Sequence, residues 1–293
     1  MTAASGHALD EEFIAQLLRY ADTPTGQPLP HDAEHVVDAL LGALERGAVR
    51  AAERDAHGNW QAVTWVKRGI LLAFRVGRTV DMSVGGHHGE QRLSFFDKHT
   101  LGPRVMTIDD GVRIVPGGST VRRGAYLAPG VVCAPPMWVN VGAWIGAGTM
   151  VDSHALVGSC AQIGERVHLS AAAQIGGVLE PVNASPVVIE DDALVGGNCG
   201  VYEGTIVRAK AVLAAGVVLT RGTPVYDLVN ECVYRASAER PLEIPAGAVV
   251  VPGARQIAKG WGAEQALSLQ TPIIVKYRDE RTDLATALEG WLR

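Results

Sequence analysis

Asp152 stands where the chain gives a carboxylate no ordinary reason to be. It follows Val151 directly, in a slot that most comparable segments fill with Gly, Ala, Asn or Ser. Such a group either caps a solvated turn or is kept because it has a partner to hold, as a corner facing a neighbouring subunit would require. His154 and His168 lie nearby, and imidazole suits proton transfer near neutrality, though both read as structural. Arg113 is a lone cation ahead of the same region, either a solvated charge or a clamp for an anion. His87, His88 and Glu90 in GGHHGE carry metal-binding side chains, but adjacent histidines point in different directions and the glycines read as a loop. Gly146 and Gly148 form a G-x-G without the strand-to-helix context of a dinucleotide site. Cys133, Cys160, Cys199 and Cys232 show no CxxC pair and read as small buried thiols in a reduced compartment.

The element that positions Asp152 is a repeat. Aliphatic or near-aliphatic residues recur six apart at Val121, Leu127, Cys133, Val139, Ile145, Val151, Val157, Ile163, Leu169 and Ile175. After an excursion near EPVNASP the spacing resumes at Ile189, Val195, Val201, Val207, Leu213 and Leu219. Four residues after each comes a small or β-branched residue, Met137 and Cys199 among the few variations, and Gly often follows the aliphatic directly, as at Gly146, Gly158, Gly164, Gly176 and Gly196. Neither the helical nor the strand period produces this pattern. A hexapeptide repeat does, each unit being a short strand and a turn, and three units closing one triangular coil. The aliphatic residue points inward, small residues fill the corners, and glycine is expected to permit the tight turns.

Composition agrees with so narrow a core. Hydrophobic residues make up 47% and aromatics only 5%, while 34 of 293 residues are Gly. The apolar content excludes a disordered chain. With 26 Lys+Arg against 31 Asp+Glu, the net charge of -5 argues against nucleic acid as a partner. MTAASGHALDEEF has no basic-then-apolar leader pattern and no long apolar run follows, so the sequence reads as soluble and cytoplasmic, with no membrane partner.

The flanks differ from the repeat. Leu17, Leu18 and Ala21, then Val36, Val37, Leu40, Leu41 and Leu44, recur at helical spacing and predict two amphipathic helices. Trp60, Val63, Trp65, Ile70, Leu72 and Phe74 predict a hairpin or short sheet. GAVVVPG and TPIIVKYR read as strands, and TDLATALEGWLR as a terminal helix. The organisation expected is an N-terminal α/β domain over 1–112, the β-helix over 113–222 and a C-terminal β/α extension over 223–293.

VRIVPGGSTVRRGAYLAPG, WVNVGAWIGAGTMVDSHALVGSCAQIG and VHLSAAAQIGGVLEPVNASPVVIEDDALVG resemble the tetrahydrodipicolinate N-succinyltransferases of diaminopimelate and lysine synthesis. MVD followed by VGSCAQIG, and IGGVLEP followed by IED, distinguish that family from other hexapeptide transferases. The resemblance implies a mainly β protein with a left-handed parallel β-helix, acting as a homotrimer with active sites between prisms. It also implies a reaction. Succinyl-CoA would be a co-substrate, no cofactor or metal would be tightly bound, and the acceptor would be the amine of a ring-opened dicarboxylate. A base, cations for the carboxylates and donors for the thioester oxyanion are then needed.

Carried over by position, Asp152 orients or deprotonates the amine and Arg113 grips a substrate carboxylate. The coenzyme A track passes Ala171, Gly197, Ala214, Ala215 and Gly222, with Arg208, Lys210 and Arg221 as candidates for its phosphates. One departure matters. The family's second candidate acid falls on Gly200, in GGNCGVYEG, while Glu203 matches another family carboxylate. Either Asp152 acts without that acid or Glu203 substitutes for it. The alternatives are a related enzyme using acetyl-CoA or a different amino-acid acceptor, and a β-helical scaffold, which would have no need of a corner carboxylate.

Overall fold

The structure, a computed structural model, describes residues 9–85 and 93–279. His87, His88 and Glu90, and the helix expected over 282–293, lie outside the described residues.

The N-terminal helices form as expected and a third joins them. α1 (Glu11–Ala21) starts where Asp10 Oδ1 accepts the Phe13 N–H at 2.8 Å, and α2 (Ala33–Glu45) follows. Trp60 does lie in a hairpin, Trp60–Ala62 pairing antiparallel with Ala52–Arg54. Trp65, Ile70, Leu72 and Phe74 do not; they belong to α3 (Thr64–Val76). The alternation of Ile70, Leu72 and Phe74 imitates a strand, but Val66, Ile70 and Ala73 at helical spacing, with Leu72 beside them, are buried in one cluster with Leu17, Leu40 and Leu41 of the other helices. Gly69 allows that crossing, since a Cβ there would stand 2.3 Å from a Leu40 methyl.

The repeat folds as a three-sided parallel β-helix, and two-residue strands stack in three ladders. Sheet I runs from Tyr126–Leu127 up to Glu243–Ile244, sheet II from Arg113–Ile114 up through Met150–Val151 to Val212–Leu213 and beyond, and sheet III from Thr120–Val121 to Val218–Leu219. The chain passes from sheet II round corner A to sheet III, round corner B to sheet I, and round corner C back to sheet II. All sixteen six-spaced aliphatic positions are buried in one continuous core, with the small residues four places on beside them. Thr149 and Thr205 are polar exceptions at that position, and Thr149 satisfies its hydroxyl by donating to Gly164 O at 2.8 Å and accepting from Val167 N at 3.0 Å.

Glycine works differently from the expectation. Gly146, Gly158 and Gly196 are not the turn residues; a Cβ on them would meet the backbone of the next coil at 2.5, 2.2 and 2.6 Å. The left-handed turn position comes two residues later, and it is Gly at 124, 130, 142, 148, 204 and 216 but His154, Cys160, Arg166, Ala172, Asp192, Asn198 and Lys210 in other coils.

Glu180 to Val187 leave the prism, and the Lys67 ammonium of α3 donates to Ala184 O there at 3.0 Å. After Leu219 the chain leaves again, returns with Glu243–Ile244, and continues sheet II with Ala248–Gln256, which pairs antiparallel with Ser268–Tyr277. GAVVVPG and TPIIVKYR are therefore neighbouring strands. Cys133, Cys160 and Cys199 are buried and burial pushes Cys133 and Cys160 up to about 12, but Cys232 is exposed, because its strand lies outside the prism at the edge of sheet II.

Candidate active site

Asp152 opens corner A, immediately after the sheet II strand Met150–Val151. Its backbone N–H is bound to Leu169 O of the next coil at 2.9 Å, and its Oδ1 accepts from Ser153 N at 2.6 Å. One carboxylate oxygen is thus anchored to the turn while the side chain stays half-exposed, fixed in direction and open to a ligand.

The same corner, one to three coils higher, holds Ala171, Gly197, Ala214 and Ala215. Its backbone rungs are continuous: Ala172 N to Ser153 O at 2.8 Å, Asn198 N to Ala171 O at 3.0 Å, and Gly216 N to Gly197 O at 2.9 Å. Small side chains leave this edge open to close approach by an extended ligand. Arg113 lies on the outer side of sheet II, exposed, in register with Val132, which is in register with Met150. It therefore stands two coils, about 10 Å, below the strand that delivers Asp152. Five expected binding residues and Asp152 share one side of the molecule.

Glu203 and Gly222 do not join them. Both lie at corner B, where Glu203 Oε2 accepts from Arg221 N at 3.0 Å. Within one chain, Glu203 is a third of the way round the prism from Asp152. Nor do Arg208, Lys210 and Arg221 form one basic cluster. Arg208 and Lys210 are at corner C, where Arg208 binds Glu190 and Glu243 at 2.8 and 2.7 Å, while Arg221 at corner B binds the carbonyls of Ser237 and Ala238.

Two cavities, about 470 and about 980 Å³, open over sheet I under the N-terminal hairpin, away from Asp152. Sequence reasoning missed the polar network between them. Glu190 receives Arg54 at 2.9 Å, the Trp60 indole at 3.0 Å and Arg208 at 2.8 Å. Burial opposes its charge, but the bonds from Trp60 and Arg208 and the charges of Arg208 and Arg54 outweigh it, holding the carboxyl below the usual range. Arg50 lies 4.0 Å from the Trp144 ring centroid, and burial pushes its guanidinium down to about 10. The only signal in sequence was the IED run itself. Among the described residues no cluster of His, Cys, Asp or Glu suits a metal, and no helix is long and apolar enough to cross a membrane.

Relatives match almost end to end. The 2,3,4,5-tetrahydropyridine-2,6-dicarboxylate N-succinyltransferase of Polynucleobacter asymbioticus is 40% identical over 268 residues, 90% of this chain and 91% of the relative. That of Leptothrix cholodnii is 42% identical over 271 residues, again 90% and 91%. The chain belongs to the tetrahydrodipicolinate N-succinyltransferase family. Residues 11–76 match the model of that family's N-terminal region, and residues 186–221 match the hexapeptide repeat of succinyltransferases. The fold has a solved counterpart in a crystal structure described as a 2,3,4,5-tetrahydropyridine-2-carboxylate N-succinyltransferase of Campylobacter jejuni. The two share a TM-score of 0.50 at 17% identity, over 86% of this chain and 64% of that one. In the succinyltransferase family, then, the three helices beside the prism are as characteristic as the repeat.

Proposed function

We propose that this chain transfers a succinyl group from succinyl-CoA to the amine of ring-opened tetrahydrodipicolinate. The observation that carries the reading is the anchored but open carboxylate of Asp152, on a chain matched over nine-tenths of its length by named N-succinyltransferases. In this reading Asp152 orients the acceptor ammonium and takes its proton, and the freed amine attacks the thioester carbonyl. The C–N bond forms, the C–S bond breaks, and the departing coenzyme A thiolate takes a proton. Arg113 holds an acceptor carboxylate. The pantetheine arm follows corner A past Ala171, Gly197, Ala214 and Ala215.

The edge of a prism is convex, so corner A needs a second surface to become a pocket. A second copy supplies it in this reading. Val132, Met150, Leu194 and Val212, with His168 between Met150 and Leu194, form a half-buried and mostly apolar column on the outer side of sheet II beside that corner, suited to subunit packing in a homotrimer. Glu203 and Gly222 at corner B would then act, if at all, from the neighbour. Both substrates are diffusible, which fits a cytoplasmic enzyme. The test is thiol release with the acceptor and succinyl-CoA, acetyl-CoA or glutaryl-CoA in turn. Succinyl-CoA should give the highest kcat/KM, and absence of acceptor-dependent release with all three refutes the assignment.

A further inference from the structure

Arg50 is a cation fixed in place without an anion. Its Nε donates to Gln162 Oε1 at 3.0 Å, and its guanidinium lies 4.0 Å from the Trp144 ring centroid and 5.4 Å from that of Trp60. Gln162 is buried and its amide nitrogen is tied to Cys160 O at 3.0 Å, so the partner that aims Arg50 is itself rigid. Arg50 lines the cavity of about 470 Å³ under the N-terminal hairpin. Among the described residues its two terminal amino groups have no hydrogen bond and no carboxylate within ion-pair distance. Burial pushes the guanidinium down to about 10, and the charge of Asp191 only partly opposes that. A half-buried cation left in this state costs stability unless something takes the place of its counter-ion.

Asp191 lines the same cavity from corner C. Its Oδ1 accepts from Glu165 N at 2.9 Å, and the carboxylate sits over Gly164, where a Cβ would collide with that oxygen. Its other oxygen has no partner among the described residues. The remaining charges around the cavity are already paired: Glu190 takes Arg54 and Arg208, and Glu165 takes Arg166. What is left over is one cation and one anion, each anchored by another group and not paired with each other. A simple anion such as phosphate would meet Asp191, and a simple cation would meet Arg50. A neutral molecule with a carboxylate and an ammonium on one carbon satisfies both. Beyond the two charges the wall is apolar, built from the Tyr126–Trp144 ring pair, Ala128 and Pro129.

We propose that this cavity binds a free α-amino acid with an apolar side chain, its carboxylate on the Arg50 fork and its ammonium on Asp191. The cavity opens over sheet I, away from corner A, so the site is separate from the one that holds Asp152. Its occupant ties the hairpin that carries Trp60 to corner C of the prism. No bond is made or broken there.

The test is titration calorimetry on the full-length protein with L-leucine, with 4-methylpentanoate, which lacks the ammonium, and with 3-methylbutylamine, which lacks the carboxylate. L-leucine should bind saturably and raise the thermal midpoint, and each truncated probe should bind about 10-fold or more weakly. Arg50→Lys keeps a cation able to reach Gln162 but loses the fork, and should weaken L-leucine by about 10- to 100-fold. Asp191→Asn can still accept the Glu165 N–H and lies at the exposed rim, so it should keep the wild-type midpoint without ligand and weaken L-leucine by a similar factor. A loss of binding in that variant at an unchanged midpoint is not a folding loss. Failure of L-leucine to saturate the wild type overturns the proposal, as does a truncated probe that binds as tightly as L-leucine or wild-type affinity in either variant.

Discussion

The Lys67 ammonium and the Ala184 carbonyl tie the N-terminal helices to the loop that interrupts the prism. Lys67 is 0% exposed and, among the described residues, its Nζ has this single bond, at 3.0 Å. Burial lowers its pKa from the ordinary lysine value, a pull from Cys160 only partly opposing. A base whose folded pKa is depressed binds fewer protons folded than unfolded, so stability rises with pH between the lowered value and the unfolded one, about 10.4. Below that window the penalty is constant. Denaturant unfolding from pH 7 to 10 should show this rise in wild type, and Lys67→Met should flatten it. Parallel curves for the two proteins would show that Lys67 does not titrate between those limits.

Asp152→Asn should assemble normally, because an amide oxygen can still accept the Ser153 N–H. Turnover should fall about 100- to 10,000-fold with coenzyme A binding retained. Glu203→Gln is the companion variant. Near-normal turnover in the first and a dead enzyme in the second would transfer the base role to Glu203.

Arg113→Ala should raise the acceptor KM about 10- to 100-fold, the loss of a charge-assisted contact, and leave the acyl-CoA KM nearly unchanged. Steady-state kinetics with each substrate varied in turn decides it. Equal weakening toward both would assign Arg113 to structure.

Glu190→Gln removes the charge that Arg54 and Arg208 share. Stability at pH 7 should drop by about 1.5 to 3 kcal/mol, measured by urea unfolding. Because the Glu190 carboxyl is held below its ordinary range, its contribution is present above the unfolded pKa and lost as pH falls through the folded one. The difference between the proteins should therefore vanish in acid.

Sedimentation should show a trimer, and Met150→Glu, which places a charge between Val132 and His168 on the outer side of sheet II, should shift it toward single chains with loss of activity. A fully active single chain would refute the packing of corner A against a neighbour.

The prism was legible because Val121 to Ile175 and Ile189 to Leu219 keep one spacing and every inward position is aliphatic or nearly so. The motif around Asp152 was legible in part, since most units place Gly, Ala, Ser or Asn in its slot, although Arg122, Glu190 and Arg208 show that the slot also takes large charged side chains. What spacing could not convey was azimuth. Asp152 and Ala171 share a corner because whole coils separate them, and Glu203 falls on another because its place in the six-residue count lies one unit further round. Leu72 and Phe74 misled because a short helix with apolar residues on two faces imitates alternation; only the burial of Val66, Ile70 and Ala73 against Leu17 and Leu40 decides between them.

The way sheet II ends has a consequence for how the protein behaves at high concentration. A stack of near-identical parallel rungs is a template for its own extension, and a bare terminal rung would invite the first rung of another copy to add to it. In sheet II the ladder does not stop at a parallel rung. Ala248–Gln256 is followed by Ser268–Tyr277 running the opposite way, and then by two three-residue strands, the last of them antiparallel to its neighbour. An incoming rung meets a three-residue edge strand carried outside the prism in place of an open coil, so fibre growth along the prism axis is blocked on that side by the protein's own chain.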